Sequence, residues 1–495
     1  MIKKVRCFLL NIAIRTYQDD PKVQKNRWMI LIILNLFTFM ATLDGSIVNV
    51  ALPVISNNLN LAVAQTEWVV TSYLMTICSF ILFFGKMADG IGKIKVFRLG
   101  AIVFVIGSIL CGFSHSLPIL VGARIIQAIG ASMTMASNMG IVTDIFPAHE
   151  RGKALGLLGT FVSLGSITGP GLGGFIVSSL GWEYIFWVNV PIGLILIIAG
   201  WKLLPDDLST RKVTFDVTGM ITFAVFIISL FTGILIGQQV GYGNPGIVFS
   251  LILAVISFAL FIWIEIRKDE PMLQLKIFKN SLFSLSILTG FLVFVANFCF
   301  NILTPFYMQG ILGMSPHEAG LLLMLFPIMM AFVAPLSGAL SDRIGSEWLT
   351  FWGLILLTSA QIGLMTLNGN SSLIFVGVLF VALGAGNGIF QSPNNSLLMS
   401  TVPKNQLGIA GSINGLVRNM GMVVGISVAT TVLFMMMSQQ AGHRVTSLIP
   451  GHPEIFLYGM RIVFILSSSI CFAAALLTGY RLIKMRRSKL AKAQA

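Results

Sequence analysis

Asp44 stands inside a strongly apolar run, Leu43-Asp44-Gly45-Ser46-Ile47-Val48-Asn49-Val50-Ala51-Leu52-Pro53. A carboxylate in such a run is costly and must face a protected interior with a partner. Desolvation disfavours its charged form and a nearby guanidinium favours it, so such a group can load and release a proton as its surroundings change. It reads as the only acidic residue deep in any apolar run. Glu67, Asp144, Glu183, Asp216, Glu265, Glu318, Asp342, Glu347 and Glu454 fall at helix ends or in loops. The other deep charges are Arg124 and Arg418, and Arg461 also falls inside a run. Nucleophilic and metal chemistry find no comparable footing. The five cysteines, Cys7, Cys78, Cys111, Cys299 and Cys471, show no ligand spacing, and the histidines fall in predicted loops. There is no Ser/His/Asp set, no H-E-x-x-H and no G-x-x-x-x-G-K-[ST] loop. The expectation is a protein that is not an enzyme, holds no metal or cofactor, and draws its energy from an ion gradient. Protons suit a single carboxylate beside an arginine better than Na⁺, which needs more oxygen ligands.

The elements that position these residues follow from composition. The chain has 495 residues, 56 % of them hydrophobic and only 10 % charged, with a mean hydropathy of +0.90. Soluble chains carry about 25 % charged residues. So little charge excludes a water-soluble body of this size, and the hydrophobicity excludes disorder. The apolar runs are long and continuous, which excludes an outer-membrane barrel of short alternating strands. A crossing helix needs about 20 apolar residues. Fourteen such runs lie near 28–52, 65–85, 96–114, 118–142, 154–178, 184–204, 216–238, 246–266, 282–308, 316–338, 348–367, 371–396, 407–436 and 456–480. The expected class is an all-α integral membrane protein with fourteen transmembrane helices.

The net charge of +14 is a topology signal once mapped. With the N-terminus inside, 28 of the 32 Lys and Arg fall in inner loops and tails and only Arg444 falls outside. Cytoplasmic loops carry such an excess. Both termini are therefore expected in the cytoplasm, in the inner membrane of a cell. The basic excess serves orientation and anionic lipid, not nucleic acid. Residues 3–14 read as an amphipathic helix on the inner membrane surface, with disorder as the alternative.

Two inner loops repeat each other. Gly85-Lys-Met-Ala-Asp89-Gly-Ile-Gly92 and Gly338-Ala-Leu-Ser-Asp342-Arg343-Ile-Gly345 share the pattern G-x-x-[AS]-D-x-I-G. Equivalent loops of one orientation imply parallel repeats about an axis along the membrane normal. The expected organisation is an N-terminal segment (1–27), a six-helix bundle (28–204), linkers and an inserted helix pair (205–281), a second six-helix bundle (282–480) and a basic tail (481–495). Two six-helix repeats around a midplane cavity are a transporter plan.

With the repeat in view, the sequence resembles the major facilitator superfamily over about residues 28–480, and within it the fourteen-span drug:proton antiporter branch. The Asp44 segment is similar to the branch's L-D-x-T-x-V-N-V-A-L-P. Arg124-Ile-Ile-Gln127-Ala128-Ile-Gly130-Ala131 looks like R-x-x-Q-G-x-G-A, with Ala128 where Gly is usual. In the family this arginine approaches the first helix's carboxylate. Since Arg124 does not lose its proton, proton and Arg124 would compete for Asp44; the alternative is a fixed pair that only pins helices. Gly165-Ser-Ile-Thr-Gly169-Pro170-Gly171-Leu-Gly173-Gly174 resembles the antiporters' G-x-x-x-G-P-x-x-G-G, and small residues at this spacing predict a tight hinge against the other half. The repeated loop resembles the family's inner latch: Gly85, Asp89, Gly92, Lys93, Asp144, Asp342 and Arg343 carry it, with Asp89 expected at the start of the third helix and Lys93 paired with Asp144. Gly90 replaces the usual arginine, and Ser346 and Glu347 stand where basic residues are usual. Arg151, Trp182 and Asn189-Val-Pro191 also match, without an assigned chemistry.

By the same resemblance, the cavity is lined by Asn49, Trp68, Tyr73, Phe161, Phe294, Asn297, Phe298, Asn301, Asn414 and Arg418. Largely apolar walls with a few polar groups suit amphiphilic organic substrates. With Asp44 the only deep carboxylate, monocationic, zwitterionic or neutral compounds are favoured over dications, and anionic amphiphiles stay open. The resemblance implies an antiporter that exports amphiphilic drugs against protons, and a monomer is expected. The alternative is a dedicated exporter or flippase of one lipid or metabolite.

Overall fold

The computed structural model describes residues 16–208, 216–268, 271–273, 275–402 and 407–494. The helix expected over 3–14 lies outside them, as do the side chains of Asp342 and of 484–494 in the tail. Regular structure among the described residues is helical throughout. The first part of the chain forms α1 (Pro21–Asn58), α2 (Val63–Ile91), α3 (Lys93–Gly112), α4 (Leu117–Ile145), α5 (Ala148–Ser179), α6 (Tyr184–Trp187) and α7 (Asn189–Leu203). The inserted pair is α8 (Val217–Val240) and α9 (Pro245–Arg267). The second part forms α10 (Ser281–Phe306), α11 (Pro316–Leu323), α12 (Leu325–Ile344), α13 (Ser346–Leu364), α14 (Leu373–Ser400), α15 (Leu407–Ala441) and α16 (Pro453–Gln494).

Local chemistry sets the ends. The Asp20 carboxylate accepts from the Lys22 amide at 2.8 Å ahead of Pro21, a favourable start for α1. Ser315 and Glu318 form a reciprocal capping box at α11. The repeated loops close alike: Gly92 (φ 115°) ends α2 and Gly345 (φ 95°) ends α12, and each is followed directly by the next helix. This backbone region favours glycine, which explains why both copies of the motif finish on one.

Twelve helices among the described residues are long and apolar enough to cross a membrane, where the sequence suggested fourteen. The two outside that count are α5, many of whose side chains lie outside the described residues, and α13, which Ser346, Glu347, Thr350, Thr358, Ser359 and Gln361 dilute.

The helices before α8 pack with one another, as do those after α9. The two halves meet along two seams, α5 with α11 and α12, and α2 with α15. The inserted helix α8 lies against both α2 and α15, so it covers the second seam from outside. Its Phe223, Ile227, Phe231 and Leu235 are buried there. We call the side that carries the α1–α2, α5–α6 and α10–α11 turns the distal face. The halves touch near it through Gln309 of the π-helical turn after α10, which donates to the Val50 carbonyl of α1 at 3.1 Å.

Candidate functional site: a buried carboxylate cluster beside an interdomain cavity

Asp44 of α1 and Arg124 of α4 meet with neither side chain exposed. Arg124 Nη1 donates to Asp44 Oδ2 at 2.5 Å. Asp44 Oδ1 accepts from Gln127 Nε2 and from Asn189 Nδ2 of α7, each at 2.9 Å. Arg124 and Gln127 share a helix face because they are three residues apart. Gln127 also reaches Ser108 Oγ of α3 at 2.9 Å. The guanidinium is held further by the Val69 carbonyl of α2 at 2.9 Å, by Gln127 Oε1 at 2.7 Å, and by the Tyr73 ring, whose centroid lies 4.1 Å from Cζ. Arg124 Nη2 has no hydrogen-bond partner among the described residues. Five helices thus converge on one carboxylate. A buried charge is tolerable when it is paired and hydrogen-bonded, and here three donors serve the ionised form. Asn189 enters as a direct partner of Asp44, although its motif suggested no chemistry. An amide in an apolar run gives no sign of which distant helix it will meet.

A cleft with about 210 Å³ of space for water-sized groups lies between the halves. Of the residues expected to line it, Asn49, Tyr73, Phe294, Asn297, Phe298, Asn301 and Arg418 do so. Trp68, Phe161 and Asn414 do not. Trp68 packs into the hydrophobic core, and the Asn414 amide turns to Asn395 Oδ1 of α14 at 3.3 Å. Ser46, Asn387, Gln391, Phe300, Phe326, Pro327 and Met422 line it without having stood out in the sequence. Arg124 lines the cleft and Asp44 lies behind it. The charged side chains lining it, among the described residues, are Arg124 and Arg418, with no carboxylate. Arg418 Nε is buried without a hydrogen-bond partner among the described residues.

The glycine motif of α5 works on two sides. A Cβ at Gly165, Gly169 or Gly173 would strike Phe39 O, Ser46 Oγ or Ile47 Cγ1 of α1, so this stripe packs within its own half. Gly171 and Gly174 face the other half: a Cβ at Gly174 would lie 2.5 Å from the Pro316 carbonyl of α11. The Pro170 carbonyl in turn approaches Gly320. The expected contact with the other half is therefore made by the two glycines off the four-residue stripe.

The latch residues gather within the first half. Lys93 Nζ lies 2.8 Å from Asp144 and 3.6 Å from Asp89. Asp89 does not start α3, because α2 continues to Ile91 and a single residue, Gly92, makes the turn. The N-terminus of α3 is capped instead by Asp207, which accepts from the Ile94 and Lys95 amides at 2.9 Å each. Gly85 has open space beside it, Arg343 is exposed at the end of α12, and the Asp342 side chain lies outside the described residues. Arg481, counted with the basic tail, is buried and donates to Ser286 Oγ at 3.2 Å and Thr350 Oγ1 at 3.0 Å.

Glu67 falls near a helix end, in the second turn of α2, and is 1 % exposed.

The family profile described as Major Facilitator Superfamily matches residues 34–426. The riboflavin transporter RibZ of Clostridioides difficile (strain 630) is 34 % identical over 465 residues, covering 94 % of this chain and 99 % of its own. The multidrug resistance protein Stp of Mycobacterium tuberculosis (strain ATCC 25618 / H37Rv) is 32 % identical over 416 residues, covering 83 % of this chain and 76 % of its own. A crystal structure of a bacterial homolog of the human lysosomal transporter Spinster shares the fold at a TM-score of 0.61 and 18 % identity, covering 92 % of this chain and 96 % of that one.

Proposed function

The chain belongs to the major facilitator superfamily, and we propose that it is a proton-coupled antiporter of the fourteen-span drug:proton branch that exports amphiphilic organic compounds by alternating access. It is an integral membrane transporter and not an enzyme. In this reading α5 and α13 also cross, since each packs along a helix of the twelve, α5 on α1 and α13 on α14. The one-sided distribution of Lys and Arg supports cytoplasmic termini and an inner-membrane location. The protein works as a monomer, with no cofactor besides the proton gradient.

The observation that carries the proposal is the placement of Arg124 between Asp44 and the cleft. With Asp44 ionised, Arg124 is tied to it and the cleft accepts substrate. When a proton neutralises Asp44, the guanidinium loses its counter-charge and its field is felt in the cleft. A guanidinium that turns from the neutral acid into the cleft takes the space a substrate needs, so proton and substrate exclude each other, which is the requirement for exchange. Arg418 bears on the substrate class. A cation entering the cleft meets two arginines and no carboxylate. Neutral aromatic amphiphiles whose acceptor atoms can take the Arg418 donors fit best.

A second reading draws on the riboflavin transporter, which matches nearly its whole length. In that reading the cleft serves one planar, acceptor-rich metabolite. Liposomes holding a pH dye separate the two. An imposed proton gradient is challenged with neutral flavin-like, cationic and anionic amphiphiles, and wild type is compared with Asp44→Asn. Substrate-evoked proton flux lost in Asp44→Asn supports antiport, and one active compound against many decides between the readings. No flux in wild type with any compound overturns proton coupling.

A further inference from the structure

The seam between α2 and α15 holds an acid that the Asp44 cluster does not use. Glu67 is 1 % exposed, and both carboxyl oxygens lack a hydrogen bond among the described residues. The polar group it faces is Thr430 of α15, in the other half of the protein. The Thr430 hydroxyl donates to the Ile426 carbonyl at 2.9 Å. No charged side chain among the described residues bears on Glu67. Asp44 of α1, Arg124 and Asp144 of α4, and Lys93 and Arg98 of α3 are engaged elsewhere, and Lys95 of α3 is exposed. The described side chains of α8 carry no charge, and Arg418 of α15 lies 12 residues before Thr430 in the sequence, roughly 18 Å along a helix. An ionised carboxylate without a counter-charge is not tolerated in such a place, so the group is held as the acid.

We propose that Glu67 is a second proton-carrying site of the transport cycle, protonated while the α2–α15 seam is closed and ionised when the distal face opens to water. In the closed seam the acid O–H points to Thr430 Oγ1. On opening, that O–H bond breaks, the proton passes to water, and the carboxylate remains on α2. Closure requires a proton to return from the distal side. The site sits near the α1–α2 turn, on the seam that must part for distal release, and α8 shields it from the side. α2 also bears Val69, whose carbonyl holds Arg124, so one helix serves both proton sites. The inference rests on the alternating-access reading above, but it does not require that Asp44 couples to protons.

The test follows the seam directly. Spin labels are placed at Asn60 and His443, both exposed on the distal loops, in a chain whose five native cysteines are replaced by serine. Distances are measured in lipid nanodiscs between pH 5 and 8, without substrate, in wild type and on an Asp44→Asn background. One proton released on opening makes the open-to-closed ratio rise by up to about tenfold per pH unit. Wild type and Asp44→Asn are expected to show that rise, and Glu67→Gln is expected to stay closed at every pH. Glu67→Asp, which keeps a titrating group, should retain the pH response. Thr430→Val, which removes the acceptor, should open at lower pH. A Glu67→Gln protein whose distances follow pH as wild type does overturns the proposal, as does a Glu67→Asp protein that is folded but pH-insensitive. A response lost in Asp44→Asn and kept in Glu67→Gln assigns the effect to the other site.

Discussion

Replacing Asp44 by asparagine separates charge from shape. The amide keeps an oxygen that can accept from Gln127 and Asn189, so those hydrogen bonds survive. Arg124 keeps the Val69 carbonyl, Gln127 Oε1 and the Tyr73 ring, and loses its only carboxylate. Removing one partner of a buried pair costs about 3–5 kcal/mol, because the other charge is left uncompensated. The retained carbonyl and ring contacts place Asp44→Asn near the lower end, at about 3 kcal/mol. Removing both charges in Asp44→Asn/Arg124→Gln leaves polar groups that can bond one another, and should recover at least half of that loss. The assay is thermal unfolding in detergent, followed by maleimide labelling of the buried free thiols Cys78, Cys111, Cys299 and Cys471. Cys111 Sγ lies 3.7 Å from Gln127 Oε1, so it reports from inside the cluster. An Asp44→Asn protein as stable as wild type, or a double variant less stable than the single one, would refute the assignment of Asp44 as the counter-charge.

Three further outcomes follow from the geometry. Asp207→Ala should lower the thermal midpoint by the loss of a helix cap, about 1 kcal/mol, whereas Asp89→Ala at its more exposed site should change it little. Gly174→Ala drives a Cβ toward the Pro316 carbonyl; overpacking of about 1–3 kcal/mol at that seam should shift the protein toward a distally open state by roughly tenfold, read by spin-label distances across α5 and α11. Asp216 accepts from the Gly219 amide at 2.7 Å and from Lys268, tying the start of α8 to the end of α9. Burial works against its charge, but Lys268 and Gly219 outweigh it and hold the carboxyl below its ordinary range. Its contribution is therefore present at neutral pH and lost as pH falls, so the gap in midpoint between wild type and Asp216→Asn should close below about pH 4.

Charge in an apolar run is conspicuous, so Asp44, Arg124 and Arg418 could be singled out from the sequence, and the structure brings the first two together. The repeated loop was equally visible, because glycine at Gly92 and Gly345 satisfies a backbone requirement that leaves a trace in the residue type. The partners of Asp44 were harder to see. Asn189 lies 145 residues away, and uncharged amides are common in membrane helices. Asp207 caps α3 from a loop 113 residues beyond Ile94, with no local pattern to announce it. Glu67 looked like an ordinary acid near a helix start, because its burial comes from the packing of α15 against α2 and not from its own neighbours in the sequence. Cavity residues were read by likeness alone, and the helix rotation that turns Trp68 into the core and Tyr73 toward the cleft is set by tertiary packing.

The claim at the centre of this account is that substrate and proton compete through Asp44 and Arg124. The most direct measurement is the proton released when substrate binds to purified protein in weakly buffered detergent solution. A substrate that evokes flux in liposomes should release protons from wild type over part of a pH series. Asp44→Asn, which mimics the protonated state, should bind that substrate more weakly and release none through this site. Equal proton release from wild type and Asp44→Asn would contradict the account.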